Sequence, residues 1–246
     1  MNIALFIVFG LIMGSFLSML IPRLHNEEKG IINGRSHCPK CKKTLGIFEL
    51  IPLLSFLIQG GRCKNCKKTI ALWYPLIELS STLIFLWMAL HFASPLEAGL
   101  WSLLMWVLLY IFFYDLRYKE IHDIVMLPGL GLAFVFSFIL GDPLSSLIGG
   151  GIALSFFGIQ YLASNGRWLG SGDLLIGSFI GLMLGWQLTL VALFLSYVIG
   201  SLIGIGLILS GKAKAQTSLP LGPFLVVGSM IAFAWGDLII NWYLGL

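Results

Sequence analysis

Two aspartates sit where long apolar runs begin or end, and such positions suit acid–base chemistry at a membrane face. Asp173 follows Gly170-Ser171-Gly172 and opens an apolar stretch that carries no other charge through Gln187. Asp115 closes a second apolar run, from Trp101 to Tyr114. Ionisable side chains in membrane segments are costly, and they are treated as functional by default. An intramembrane aspartyl protease needs at least two acids of this kind for catalysis.

The glycines around Asp173 predict a close backbone contact. Gly170 and Gly172 tolerate a positive φ and leave room for a substrate or a neighbouring helix. Gly177, Gly181 and Gly185 continue from Asp173 at a spacing of four, which places all four on one helix face. Small residues mark tight helix packing in membranes, so we expect Asp173 to face the bundle interior. The alternative is that Asp173 only caps its helix.

Asp115 also has a plainer interpretation, as a solvated charge paired with Arg117 or Lys119. Asp123 is most simply the N-cap of the next apolar segment. If Asp115 and Asp173 come together, they cannot easily both be ionised, and they would share a proton. The ionised acid would then take a proton from water while the protonated acid donates to the scissile carbonyl.

The cysteines predict a metal site. All four lie in two Cys-x-x-Cys pairs, Cys38 with Cys41 and Cys63 with Cys66. Two such pairs suit a tetrahedral zinc bound by four thiolates, with no open position, so the zinc would be structural. A pair of redox-active dithiols is the alternative. The apolar run 47–58 between the pairs contains Glu49 and Pro52 and is too short to span, so we expect it at the membrane surface.

The elements that carry these residues are membrane helices. The chain is 58% hydrophobic and 11% charged, against about 25% charged in soluble domains. We predict an all-α polytopic membrane protein of about eight spans: 3–21, 72–92, 98–114, 124–140, 144–163, 172–187, 188–209 and 221–244. The boundary near Trp186 is the least defined. The predicted regions are a first helix (1–21), a zinc-binding cytoplasmic insert (22–71) and a seven-helix domain with both aspartates (72–246).

The distribution of Lys and Arg predicts the orientation of the chain in the membrane. Alternating the eight segments across the membrane puts all 15 Lys and Arg residues on one face. The positive-inside rule makes that face cytoplasmic, with the insert and both aspartates there and both termini outside. The basic charge therefore requires no nucleic-acid partner; the lipid bilayer is the expected one. The sequence leaves the oligomeric state open, a homo-oligomer included.

The chain resembles the bacterial type IV prepilin peptidases, the Gly-x-Gly-Asp class of membrane aspartyl proteases. The resemblance runs nearly end to end. It rests on Gly14-Ser15-Phe16-Leu17, both cysteine pairs, Glu49-Leu50-Ile51-Pro52-Leu53-Leu54-Ser55, Tyr74-Pro75-Leu76-Ile77-Glu78, Asp115, Gly170-Ser171-Gly172-Asp173 and Gly222-Pro223-Phe224-Leu225.

The resemblance implies removal of the basic leader from prepilins and pseudopilins in the inner membrane, with Asp115 and Asp173 as the catalytic pair. In many members it also implies N-methylation of the new terminus with S-adenosylmethionine. Three positions depart from the family: Leu175 replaces the usual Lys, His122-Asp123 stands for Pro-Asp, and Ser18 for Asn. The competing functions are a proton-coupled transporter and a non-catalytic peptidase-like scaffold.

Overall fold

The computed structural model describes residues 2–28, 34–212, 214 and 219–245. Within them the chain is helical. The helices are α1 (Ile3–His25), α2 (Leu54–Ile58), α3 (Trp73–His91), α4 (Pro95–Tyr118), α5 (Asp123–Ile139), α6 (Pro143–Ser164), α7 (Ser171–Leu209) and α8 (Gly222–Leu244). A short 3-10 turn, Ile47–Glu49, precedes α2. The predicted all-α membrane class is confirmed.

The count of eight spans is not confirmed. Among the described residues, six helices are long and apolar enough to cross a membrane: α1, α3, α4, α6, α7 and α8. Helix α5 has 17 residues, or about 26 Å of axis, less than the roughly 30 Å of a hydrocarbon core. Helix α4 continues to Tyr118, so Asp115 lies inside its last turn rather than beyond an end at residue 114.

Helix α7 accounts for the remaining difference, because it is two helical arms joined at Gly185. A straight helix of 39 residues would be about 58 Å long. Gly185 has φ 77° and ψ 170°, which breaks the helix. The added Cβ of an alanine at Gly177, in the first arm, would meet Phe157 of α6. Tyr197, in the second arm, donates a hydrogen bond to Gln160 of α6 at 3.1 Å.

Both arms thus lie beside the same stretch of α6, although a straight helix would separate residues 177 and 197 by about 30 Å. The chain therefore reverses direction at Gly185. The boundary predicted near Trp186 falls at this turn. The first arm, 171–184, is only about 21 Å long and cannot by itself cross a bilayer of ordinary thickness.

The chain divides into two compact units, 1–110 and 111–246. In the first unit α1 packs closely on α3. The Ser81 hydroxyl donates to the Gly10 carbonyl at 2.8 Å, and Trp106 of α4 donates to the Met13 carbonyl at 3.0 Å. The second unit contains α5 to α8 and the end of α4, and therefore both aspartates.

The insert between α1 and α3 presents apolar side chains outward. Ile47, Phe48, Leu57 and Ile58 are all more than 70% exposed, and Phe48 is 80% exposed. Exposing this apolar cluster to water would be unfavourable for a small polar module. The location of the run 47–58 at the membrane surface stays a prediction. The high exposure of these four side chains agrees with it.

Candidate active site

Asp115 is a buried carboxylate held by the start of another helix. Its side chain is 7% exposed. Oδ2 accepts a hydrogen bond from the N–H of Gly222, the first residue of α8, at 2.8 Å. The first N–H groups of a helix lack partners within the helix, and the helix dipole favours an anion there. The plain interpretation of Asp115 as a solvated charge is therefore wrong.

Gly222 makes this contact possible, because a side chain would occupy the position of the carboxylate. A Cβ added at Gly222 would lie 2.6 Å from Oδ2 of Asp115. Pro223 follows as an early helical residue, where its missing N–H costs nothing. Gly222 was not among the predicted site residues. The Gly-Pro pair before an apolar run indicates a helix start, but nothing local indicates that Asp115 lies against it.

Asp173 lies in the first turn of α7, at the third helical position. The N-cap is Gly170, whose N–H donates to Oδ2 of Asp173 at 3.0 Å. Asp173 is therefore not the N-cap, although its carboxylate accepts a hydrogen bond from the backbone N–H of the N-cap residue. The same correction applies to Asp123, which is the first residue of α5 after His122 as N-cap.

The two acids come together within the second unit. The carboxylates of Asp115 and Asp173 interact electrostatically, and Lys119 also interacts with Asp115. Tyr197, from the second arm of α7, interacts electrostatically with Asp173. Helices α4 and α7 thus place two carboxylates within range of each other's charge.

The glycines before and after Asp173 serve packing. Neither Gly170 nor Gly172 has a positive φ, so the left-handed freedom expected of them is not used. Gly172 lies against Ile121, which a Cβ would approach to 3.2 Å. Gly181 meets the backbone of α6 at Gly149, where a Cβ on Gly149 would lie 2.6 Å from the Gly181 carbonyl oxygen. This close approach fixes the arm that carries Asp173.

The four cysteines form one cluster in the first unit. The sulfur atoms of Cys38, Cys41, Cys63 and Cys66 all lie within 4.8 Å of one another, and none is in a disulfide. Cys38 and Cys66 are 4.0 Å apart at sulfur. Zinc bound to sulfur at about 2.3 Å in a tetrahedron would need neighbouring sulfurs about 3.8 Å apart. The cluster can therefore hold a metal ion with little movement.

Two knuckles of the same construction present these cysteines. In the first, Cys38 N–H bonds to the Lys43 carbonyl, and Lys42 has a φ of 59°. In the second, Cys63 N–H bonds to the Lys68 carbonyl, and Lys67 has a φ of 57°. The sequence repeat Cys-x-x-Cys-Lys-Lys-Thr underlies the repeat in structure.

The knuckles stabilise thiolate. The Lys43 N–H, followed by the Asn65 side chain, lowers the pKa of Cys41 to about 6. The N–H groups of Cys66 and Asn65 lower the pKa of Cys63. At Cys66 the Lys68 N–H acts in the same sense, but burial and the other three thiols outweigh it and raise the pKa to about 11. At Cys41 and Cys63 the knuckles therefore favour the thiolate, which is the form that binds a metal ion.

Comparison with known proteins agrees with this arrangement. Residues 8–92 match the bacterial peptidase A24 N-terminal domain, and residues 102–205 match the type IV leader peptidase family. The chain belongs to the type IV leader peptidase family. Both aspartates fall within the second matched region, and all four cysteines fall within the first.

Named relatives cover almost the whole chain. The prepilin leader peptidase/N-methyltransferase of Bacillus subtilis strain 168 is 34% identical over 98% of this chain and 98% of its own length. Its counterpart in Pseudomonas aeruginosa PAO1 is 31% identical over 97% of this chain and 92% of its own. The counterpart in Aeromonas hydrophila is 32% identical over 98% of this chain and 93% of its own length. No solved structure matches this chain significantly.

Proposed function

We propose that this protein is an intramembrane aspartyl endopeptidase that removes the short basic leader of prepilins and pseudopilins, with Asp115 and Asp173 as its catalytic residues. The observation that carries the proposal is that the buried carboxylate of Asp115, held by the Gly222 N–H, lies close enough to Asp173 for the two charges to repel each other. The acids come from different helices of one unit, in a chain of the leader peptidase family. A transporter and a non-catalytic scaffold are not favoured, because the relatives are named as peptidases and match this chain over more than 90% of their own length.

The chemistry follows from two acids that share one proton. The ionised carboxylate takes a proton from water, and the water oxygen bonds to the scissile carbonyl carbon. The protonated carboxylic acid donates its proton to the carbonyl oxygen. When the carbon–nitrogen bond breaks, the leaving amine takes up a proton and becomes the new N-terminus. The Gly222 N–H holds one oxygen of Asp115 and so fixes the direction of its carboxyl group.

The setting is the cytoplasmic face of the inner membrane. The distribution of Lys and Arg, through the positive-inside rule, supports cytoplasmic exposure of the insert and of both aspartates, and external termini. A basic leader joined to an apolar helix would meet the acids at that boundary.

The four-cysteine cluster is proposed to hold one structural Zn²⁺. The sulfur spacing and the two knuckles support this ion, since four thiolates leave no open coordination position. When bound, zinc would neutralise the thiolates and tie the two knuckles together. The redox alternative is less well supported, because all four sulfurs converge on one point rather than forming two separate dithiols.

The names of the relatives also support a second activity, an N-methyltransferase. We propose, from the family resemblance, that it methylates the new terminus with S-adenosylmethionine as donor. The proposed peptidase does not depend on it.

The test of the peptidase is a cleavage assay with purified protein in lipid and a co-reconstituted prepilin. Asp115→Asn and Asp173→Asn keep the size of each side chain but remove its ability to exchange a proton, so each should lower the cleavage rate about 10³-fold or more. Asp123→Asn, at an exposed acid opening α5, is the matched control and should cleave normally. Normal cleavage by either catalytic variant would refute the assignment.

A further inference from the structure

The insert between α1 and α3 carries an apolar surface that neither the cysteine cluster nor the peptidase chemistry uses. Ile47 and Phe48 lie on the 3-10 turn, and both are at least 80% exposed. Leu54, Leu57 and Ile58 share one face of α2, at spacings of three and four, and each is more than half exposed. The turn and α2 contact each other. We call these five side chains the apolar face of the insert.

The charge of the insert is strongly basic. Residues 34–71 contain eight Lys and Arg residues and one acid, Glu49. The side chain of Glu49 is only 9% exposed. It accepts a hydrogen bond from the Gly46 N–H at 2.8 Å and lies 3.8 Å from Nζ of Lys43. The single negative charge is therefore covered, whereas the lysines of the insert are exposed.

Glu49 also brings basic charge to the apolar face. It belongs to the same turn as Ile47 and Phe48. Lys43 of the first knuckle pairs with Glu49, and Lys64 of the second knuckle lies within range of its charge. One lysine from each knuckle is therefore placed beside the turn that carries two of the exposed apolar side chains. A partner that covers this surface must be apolar in its centre and negatively charged at its rim.

The flanking helices place a bilayer next to this surface. Helices α1 and α3, which lead into and out of the insert, are both long and apolar enough to cross a membrane. Leu72, directly before α3, is also 74% exposed. Elements that lie in the membrane interface combine an apolar face, which enters the acyl region, with Lys residues that meet anionic headgroups. The apolar face and its two lysines have this composition.

We propose that the insert docks on an anionic phospholipid surface, with the apolar face among the acyl chains and with Lys43 and Lys64 against the headgroup phosphates. The proposal rests on the proposed location of the insert at the membrane surface. It deepens that location, because it names the class of lipid and the side chains that select it. It does not depend on Asp115, Asp173 or any catalytic step.

The contact is tested by photocrosslinking in the full chain. The protein with its zinc is reconstituted into nanodiscs of phosphatidylcholine and phosphatidylglycerol in a ratio of about 7 to 3, with p-benzoylphenylalanine in place of Phe48. After irradiation, lipid adducts on the peptide that contains position 48 are measured by mass spectrometry. They should exceed at least fivefold the lipid adducts from the same group placed at Thr69, an exposed polar position of the second knuckle.

Equal lipid adducts at positions 48 and 69, or adducts at position 48 with protein instead of lipid, would overturn the proposal. A second copy of the chain or a bound protein partner would give the latter result. No cleavage enters the measurement, so a failure of the peptidase assignment would leave the result unchanged.

Selection for anionic lipid is read from the same adducts. Phosphatidylglycerol should be enriched at least twofold over its share of the bilayer. Lys43→Gln combined with Lys64→Gln should return it to about that share. Lys212→Gln combined with Lys214→Gln, at two lysines outside the insert, is the matched control and should keep the enrichment. Bound zinc, measured in each protein, checks that the insert has kept its fold.

A salt titration does not depend on how the lysine variants fold. In the protein with only position 48 replaced, raising the salt from about 0.05 M to about 0.5 M should lower the excess of phosphatidylglycerol by about half, because salt screens exposed charges. The total of lipid adducts should persist, since the apolar contact is not screened. No enrichment at low salt, or an enrichment that neither salt nor the lysine substitutions change, would overturn the proposal.

Discussion

The cysteine cluster and the aspartate pair are assembled in opposite ways. Each cysteine pair is held by its own knuckle, whose hydrogen bonds join residues fewer than six positions apart, such as Cys63 and Lys68. Asp115 and Asp173 lie on separate helices, and Asp115 is fixed by Gly222, more than a hundred residues further along the chain. The first site is encoded by a short sequence repeat, and a bound metal ion would join its two halves. The second exists only when the helices of its unit have packed.

The largest effect separating the two sites should come from removing one cysteine. Cys63→Ser should lower bound zinc from about one equivalent per chain to near zero. Because a structural zinc contributes on the order of 10–16 kcal/mol in small peptides, the insert should lose its fold. Hydrogen exchange should then rise sharply in 36–45 and 61–70 and stay slow in the buried stretch 176–184, measured by mass spectrometry.

Lys64→Ser is the matched control for that variant, because it changes an exposed residue of the same knuckle that is not a proposed ligand. It should keep its zinc and its slow exchange. A Cys63→Ser protein with full zinc would show that the cluster is not the metal site.

How far the sequence predicts each site follows from the same contrast. The knuckles and the membrane class could be predicted, because local spacing and long apolar runs determine them. Gly222 could not be, since its role depends on a contact between the end of α4 and the start of α8. The number of membrane spans was harder to predict, for a different reason. The chain turns at Gly185 inside a long uncharged run, and no charged residue or proline marks the reversal.

The aspartate site should respond to a change far from either acid in sequence. Gly222→Ala would put a methyl group 2.6 Å from Oδ2 of Asp115, so the carboxylate or the start of α8 must move. A displacement of about 1 Å at a catalytic group can cost about 10²-fold in rate, and we expect a loss of that size in the prepilin cleavage assay. Zinc content should not change.

Gly131→Ala is the control, because a Cβ at this glycine of α5 meets nothing within 4 Å. It should cleave at the normal rate. Unchanged cleavage in Gly222→Ala would mean that the bond from Gly222 to Asp115 does not position the catalytic group.

The smallest effect is expected at Leu175, where the resembled family usually has lysine. Leu175 follows Asp173 by two positions in α7, and residues so spaced do not share a helix face. A lysine there would point away from the carboxylate of Asp173, so Leu175→Lys should change the cleavage rate less than about threefold. Leu175→Gln is the uncharged control. A large gain specific to lysine would instead mean that its long side chain reaches the acids or the basic leader's path. The aspartate site would then be incomplete in this chain, whereas the cysteine site contains every ligand it needs.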